Sequence, residues 1–162
     1  MASRRKGRIL AFQALYYWDA SAKNEAQRVP LEELLSFAWL SGPENSDLKS
    51  GDDSGNTEDF PKKYDENTLI FSSALVAGTI ENITFVDNMI KDHLVNWDIT
   101  RINRVDLAIL RISVYTLLYQ DDIPPSIVID EAIGISLEFG TDDSYKFING
   151  ILDNINKTRT NK

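Results

Sequence analysis

The sequence predicts an all-α protein, and three observations carry that prediction. Apolar residues recur at the i, i+3, i+4, i+7 spacing that gathers them on one side of a helix, often enough for about seven helices. No stretch alternates apolar and polar residues long enough to make a half-buried strand. The 162 residues, 43% hydrophobic and without a cysteine, suffice for one domain whose core needs no disulfide frame or thiolate zinc site.

The pattern opens at residues 5–18, where Leu10, Ala11, Ala14, Leu15 and Trp18 share one face and Ile9, Phe12 and Tyr16 a second. A helix apolar on two sides belongs in the middle of a bundle. Pro30, allowed in a first turn, opens a second helix through Leu31, Leu34, Leu35 and Trp39. Residues 41–66 are rich in Ser, Gly, Asp, Asn and Pro and lack a helical stripe, which predicts a solvated loop. Helical spacing resumes over 69–80, then at Ile83, Val86, Ile90 and Leu94, with Asn82 as the expected cap. A longer helix over about 103–119 presents Val105, Ile109, Ile112 and Thr116 on one face and Leu107, Leu110, Val114 and Leu117 on another, the mark of a second central helix.

The run Asp122-Ile123-Pro124-Pro125 ends that helix and starts the next, because proline fixes φ and lacks an N–H that a first turn does not use. The new helix carries Val128, Ala132, Ile135 and Phe139 and should end on Gly140 in the left-handed conformation. Thr141 and Asp142 are placed to cap the last helix, whose stripe is Ile148, Ile151, Leu152 and Ile155. The organisation expected is a single domain over 1–162, with an N-terminal helical half (4–82, including the loop 41–66) and a C-terminal half (83–157). No apolar run is long enough to span a bilayer and no signal-peptide pattern follows the first basic residues, so the expected compartment is the cytoplasm.

The net charge of −8 conceals two opposite segments. Arg4, Arg5, Lys6 and Arg8 crowd the first eight residues without an acid among them, whereas residues 41–59 hold Glu44, Asp47, Asp52, Asp53, Glu58 and Asp59 against Lys49 alone. Catalytic readings find little support. His93, the one histidine, lies beside the Ile90 and Leu94 stripe, where an edge-of-core role is expected. Phosphate-binding glycine loops and zinc-protease motifs are absent, so no metal or cofactor is expected. The pairs Asp121-Asp122, Asp130-Glu131 and Asp142-Asp143 fall beside predicted helix starts, where negative charge offsets the helix dipole.

The basic cluster is different, because cations at a helix N-terminus oppose that dipole by about 0.3–1 kcal/mol each. It reads either as a solvated basic tail or as an anion-binding end anchored by Leu15 and Trp18, with RNA one such anion. Near the C-terminus Phe139-Gly140 and Asp143-Ser144-Tyr145-Lys146-Phe147 place aromatic rings and a lysine around a tight turn. Such mixtures bind unpaired bases, the rings stacking on base faces while cations hold phosphates, although the same spacing also suits Phe139 and Phe147 to a core.

Four segments in order resemble the NusB transcription antitermination factors: Arg4-Arg5-Lys6-Gly7-Arg8 with Gln13-Ala14-Leu15-Tyr16; Val105-Asp106-Leu107-Ala108-Ile109-Leu110-Arg111-Ile112-Ser113-Val114-Tyr115; Ile123-Pro124-Pro125 through Asp130-Glu131-Ala132; and residues 139–153, from Phe139-Gly140 to Leu152-Asp153. With a weaker match over 69–94, the resemblance covers most of the chain outside about 20–64. It implies a non-enzymatic, all-helical protein of two small subdomains that pairs with a small-subunit ribosomal protein acting as NusE. The pair would bind single-stranded boxA-like RNA of ribosomal RNA transcripts within an RNA polymerase antitermination complex. The resemblance also implies Arg4, Arg5, Lys6, Arg8, Tyr16, Phe139, Asp143, Lys146 and Phe147 as the RNA surface, and Asp106 and Arg111 as the side facing the ribosomal protein. Four departures stand out. Lys6 replaces a usual arginine, Leu137 and Glu138 stand where family members often carry basic residues, Asp130 replaces a common asparagine, and the acidic segment looks long. Two other readings share the helical pattern: an accessory domain of an RNA methyltransferase, and a non-catalytic helical homodimer.

Overall fold

The first helix, α1 (Arg4–Ala20), runs slightly beyond the expected stripe and buries Leu10, Ala11, Phe12, Ala14, Leu15 and Trp18. The structure is a computed structural model that describes residues 4–22, 28–41, 64–95 and 98–160. Among these the elements are α1, α2 (Leu31–Leu35), a 3-10 turn (Ala38–Ser41), α3 (Glu66–Glu81), α4 (Ile83–Asp92), a 3-10 turn (Ile99–Arg101), α5 (Arg104–Tyr119), α6 (Pro125–Phe139) and α7 (Ser144–Thr160), with no strand. The predicted all-α class therefore holds. Most of the acidic segment lies outside the described residues.

Helix α5 is the axis of the molecule: α1, α3, α4, α6 and α7 all pack against it. Eleven of its sixteen residues are buried, as its two apolar faces require. Helix α1 lies between α3 and α5, and α7 closes the other side by packing along α6. One continuous buried cluster runs from Leu15 and Leu34 through Leu75, Ile90, Ile109 and Leu110 to Ile135, Ile148, Leu152 and Ile155. Each such side chain contributes about 1.5–3 kcal/mol through burial, set against the entropy of ordering the chain. Among the described residues no single helix is long and apolar enough to cross a membrane.

Several sequence expectations need correction. The second helix does not reach Trp39: α2 stops at Leu35, and Phe37 adopts a left-handed φ of 57°. That conformation costs a non-glycine residue about 1–2 kcal/mol, offset here by burial of the Phe37 ring and by the Trp39 indole N–H, which donates to Leu34 O at 2.9 Å. The third helix starts at Glu66, three residues before the expected Leu69, because Asp65 accepts a 2.7 Å hydrogen bond from the Thr68 N–H. This cap holds the Asp65 carboxyl below its usual range. Asn82 closes α3 instead of capping α4 with its side chain, donating from Nδ2 to Gly78 O at 2.9 Å where the two helices bend by 72°. Gly140 is extended (φ −92°, ψ −169°), not left-handed. Glycine is needed there for space, since a Cβ would lie 2.7 Å from both Ser136 O and the Ser144 side chain. Asp130 and Glu131 sit well inside α6, so they do not serve its N-terminal dipole.

Candidate nucleic-acid interface

The basic residues occupy the first two turns of α1, and α1 packs against α3 on one side while its cations reach α6 on another. Gly7 makes the first approach possible, because a Cβ there would clash with the Phe71 ring of α3. The Arg4 guanidinium lies 4.5 Å and that of Arg8 5.6 Å from the centroid of the same ring, an arrangement that holds cations by their attraction to the aromatic face. Phe71, Tyr119, Ile123 and Ile127 join Arg4 and Arg8 around a cleft of about 410 Å³. Arg4, Arg5 and Lys6 are exposed, whereas the Arg8 side chain is only 12% exposed and lies 3.9 Å from the Glu131 carboxylate. Burial lowers the Arg8 pKa from its usual value, Glu131 opposes that shift and Arg4 adds to it.

The two regions singled out in the sequence meet. Arg5 Nη2 donates to Glu138 Oε2 at 3.1 Å across 133 residues of chain, and the Phe12 and Phe139 rings lie 5.1 Å apart at 57°. Beside them is an open cavity of about 470 Å³ lined by Phe12, Gln13, Tyr16, Tyr17, Trp39 and Phe139 among others. Tyr16 is 41% and Phe139 37% exposed, so each turns part of its ring to solvent. Phe12, Tyr17 and Trp39 were missing from the sequence-derived site. Phe12 and Trp39 read as core by spacing and Tyr17 falls on neither apolar face of the first helix, and the left-handed turn at Phe37 precedes the placement of Trp39 against Tyr17, with the rings stacked at 5.3 Å. Past Gly140, Asp143 and Lys146 are exposed, while Phe147 is half-buried against the core.

Asp106 and Arg111 are not at the surface. Asp106 is 5% exposed: its N–H donates to Asn103 Oδ1 at 2.8 Å, and its Oδ2 accepts from Asn103 Nδ2 at 3.0 Å. Its other oxygen is enclosed without a hydrogen-bond partner. Burial raises its pKa, and the Ser144 and Asn103 side chains oppose the rise. The Ser144 hydroxyl is itself engaged by the Thr141 N–H at 2.9 Å. Arg111 is equally buried and makes a two-pronged pair with Asp87, Nε to Oδ1 at 2.9 Å and Nη2 to Oδ2 at 3.0 Å, with Asp19 at 3.7 Å. These bonds cap α5 and tie it to α4 and α1. His93 is a tether as well, its ring nitrogens reaching Met89 O at 2.8 Å and Thr158 Oγ1 at 3.1 Å. No group of residues suited to hold a metal occurs among the described residues.

Comparison with known proteins adds four findings. Residues 5–157 match the family model described as NusB family. The chain is 49% identical over 152 residues to the transcription antitermination protein NusB of Treponema denticola, a match covering 94% of each chain. The structure superposes on T. maritima NusB with a TM-score of 0.72 at 29% identity, covering 97% of this chain and 93% of that one. A chain from a structure of antitermination factors NusB and NusE in complex with dsRNA superposes with a TM-score of 0.69 at 24% identity, covering 96% of both, a likeness of fold.

Proposed function

The chain belongs to the NusB family, and from that membership we propose that it is an RNA-binding transcription antitermination factor without catalytic activity. In this reading it binds single-stranded boxA-like RNA of ribosomal RNA transcripts together with a small-subunit ribosomal protein acting as NusE. It works in the cytoplasm as part of the RNA polymerase antitermination complex. One observation carries the assignment of the surface: the start of α1 and the α6–α7 turn, remote in sequence, touch through Arg5–Glu138 and Phe12–Phe139. Cations and partly open rings then lie on one continuous surface, which is what a flexible strand requires.

Within that surface Arg4, Arg5 and Lys6 supply phosphate contacts, while Tyr16 and Phe139 offer ring faces to bases. Lys146 and Asp143 flank the turn. Arg8 and Phe147 act from partly buried positions and set the surface more than they touch the strand. Asp106 and Arg111 influence the ribosomal-protein side only through the pose of α5. The accessory-domain alternative is less well supported, because the relatives matched over nearly their whole length are antitermination proteins.

Binding of labelled boxA-like RNA, with and without the ribosomal protein, tests the proposal. Tighter binding is expected with the partner, and Arg5→Ala should reduce the dependence of log affinity on log salt by about 0.7, the loss of one single-strand phosphate contact. Phe139→Ala should weaken binding by about 1–3 kcal/mol without changing that slope. RNA affinity equal to that of a scrambled sequence, with or without the partner, would refute the assignment.

A further inference from the structure

Helix α6 turns two carboxylates toward the cations of α1. Glu131 and Glu138 are seven residues apart, two helical turns, and therefore share a face. Glu131 lies 3.9 Å from Arg8, and Glu138 lies 3.1 Å from Arg5. Gly134, midway between them, leaves room for this arrangement: a Cβ there would stand 3.2 Å from Arg5 Nη1, so the guanidinium crosses α6 close to its backbone. The two pairs differ in exposure. Arg8 is largely enclosed with its partner, whereas the Arg5 and Glu138 side chains are 52% and 51% exposed. An exposed pair is weak and is exchanged readily for another anion.

We propose that Glu138 is an affinity-setting residue that competes with RNA phosphate for the Arg5 guanidinium. The inference rests on the RNA reading given above. A phosphodiester that takes Arg5 must displace Glu138, and the released carboxylate then stands beside the strand as an uncompensated like charge. The strand is held less tightly than the count of cations on α1 suggests. Sequences or partners that place no phosphate at Arg5 escape the penalty, so Glu138 also favours binding modes that do not use Arg5.

The test is a double-mutant cycle with Arg5→Gln and Glu138→Gln in the full chain, using a short fluorescein-labelled boxA-like RNA and a scrambled control in the presence of the ribosomal protein. Circular dichroism melting confirms that each variant remains folded, which the exposure of both side chains favours. Glu138→Gln should tighten boxA-like binding by about two- to fivefold at low salt, the range of an exposed ion pair. The gain should shrink as salt rises and be clearly smaller when Arg5 is already Gln, where only the like-charge repulsion of Glu138 is left to remove. Unchanged or weaker binding by Glu138→Gln, while Arg5→Gln still weakens it, would overturn the competition and leave the RNA reading standing. A gain of undiminished size in the Arg5→Gln background would overturn it too, since Glu138 would then act on the strand by its charge alone and not through Arg5. Failure of the unmodified protein to prefer the boxA-like RNA removes both.

Discussion

Asp106 shows how much of a side chain's setting its sequence context leaves unsaid. Its spacing from Asn103 announces a helix start, and the structure contains that start as a reciprocal pair of hydrogen bonds. What the spacing does not reveal is burial, because α7 brings Ser144 over the cap and encloses one carboxylate oxygen without a partner. The consequence for stability follows from the direction of the shift. A carboxyl whose folded pKa lies above its ordinary 3.8 binds its proton more tightly in the folded state, so stability declines as pH rises from that value through the folded pKa. The penalty of the buried charge is then complete at neutral pH. Asp106→Asn keeps an acceptor for Asn103 and removes the charge. Its stability at neutral pH should stay within about 1 kcal/mol of the parent or exceed it, and the acid-side decline assigned to Asp106 should vanish in denaturation measured across pH. Asp106→Lys, which buries a cation without a partner, should lose about 3–5 kcal/mol. Equal stability of the lysine variant would show the site to be open after all.

At the scale of elements, apolar spacing reported existence and order well, while ends and contacts were set by other chemistry. Helix α5 is central because both of its faces are apolar, and that was legible. The start of α3 was hidden because its first turn is polar and owes its position to Asp65, and the end of α2 was hidden because Trp39 continues the stripe although Phe37 reverses the chain. Of the candidate site, the basic cluster and the aromatic turn were legible as composition, but their meeting, and the carboxylates of α6 that meet Arg5 and Arg8, depend on how α1 and α6 lie across α5. Helix approach distances are equally invisible without the fold. A Cβ at Gly78 would clash with the Tyr115 ring, so any larger residue at that point must displace Tyr115 for α3 to keep its place against α5. Gly78→Ala, despite the better helix propensity of alanine, should therefore destabilise the protein by about 1–3 kcal/mol through overpacking. Thermal melting checks this, and a rise in melting temperature would mean that Tyr115 swings aside freely.

For the whole molecule the proposed function raises the question of how a chain of net charge −8 would hold a polyanion. The favourable charge is local, concentrated in Arg4, Arg5 and Lys6 at the start of α1, while the remaining residues together are strongly net negative. Residues 42–63 contribute six acids against Lys49, Lys62 and Lys63, which is three of the eight net negative charges. Replacing 42–63 by a neutral Gly-Ser segment, with the Asp65 cap kept, should change folding stability little, because loop-closure entropy varies by only about 0.6 kcal/mol per doubling of length. RNA affinity should rise severalfold at low ionic strength, and the gain should fade near physiological salt, where the screening length is about 8 Å. The number of phosphate contacts is unchanged in this replacement, so the two salt dependences should converge and share one slope once the gain has faded, whereas a lost or gained contact would keep the slopes different. A melting temperature lowered by more than about 5 °C would mean instead that the segment contributes more than 1 kcal/mol of packing to the folded protein. An affinity that stays constant at every salt concentration would mean that its charges lie too far from the strand to be felt.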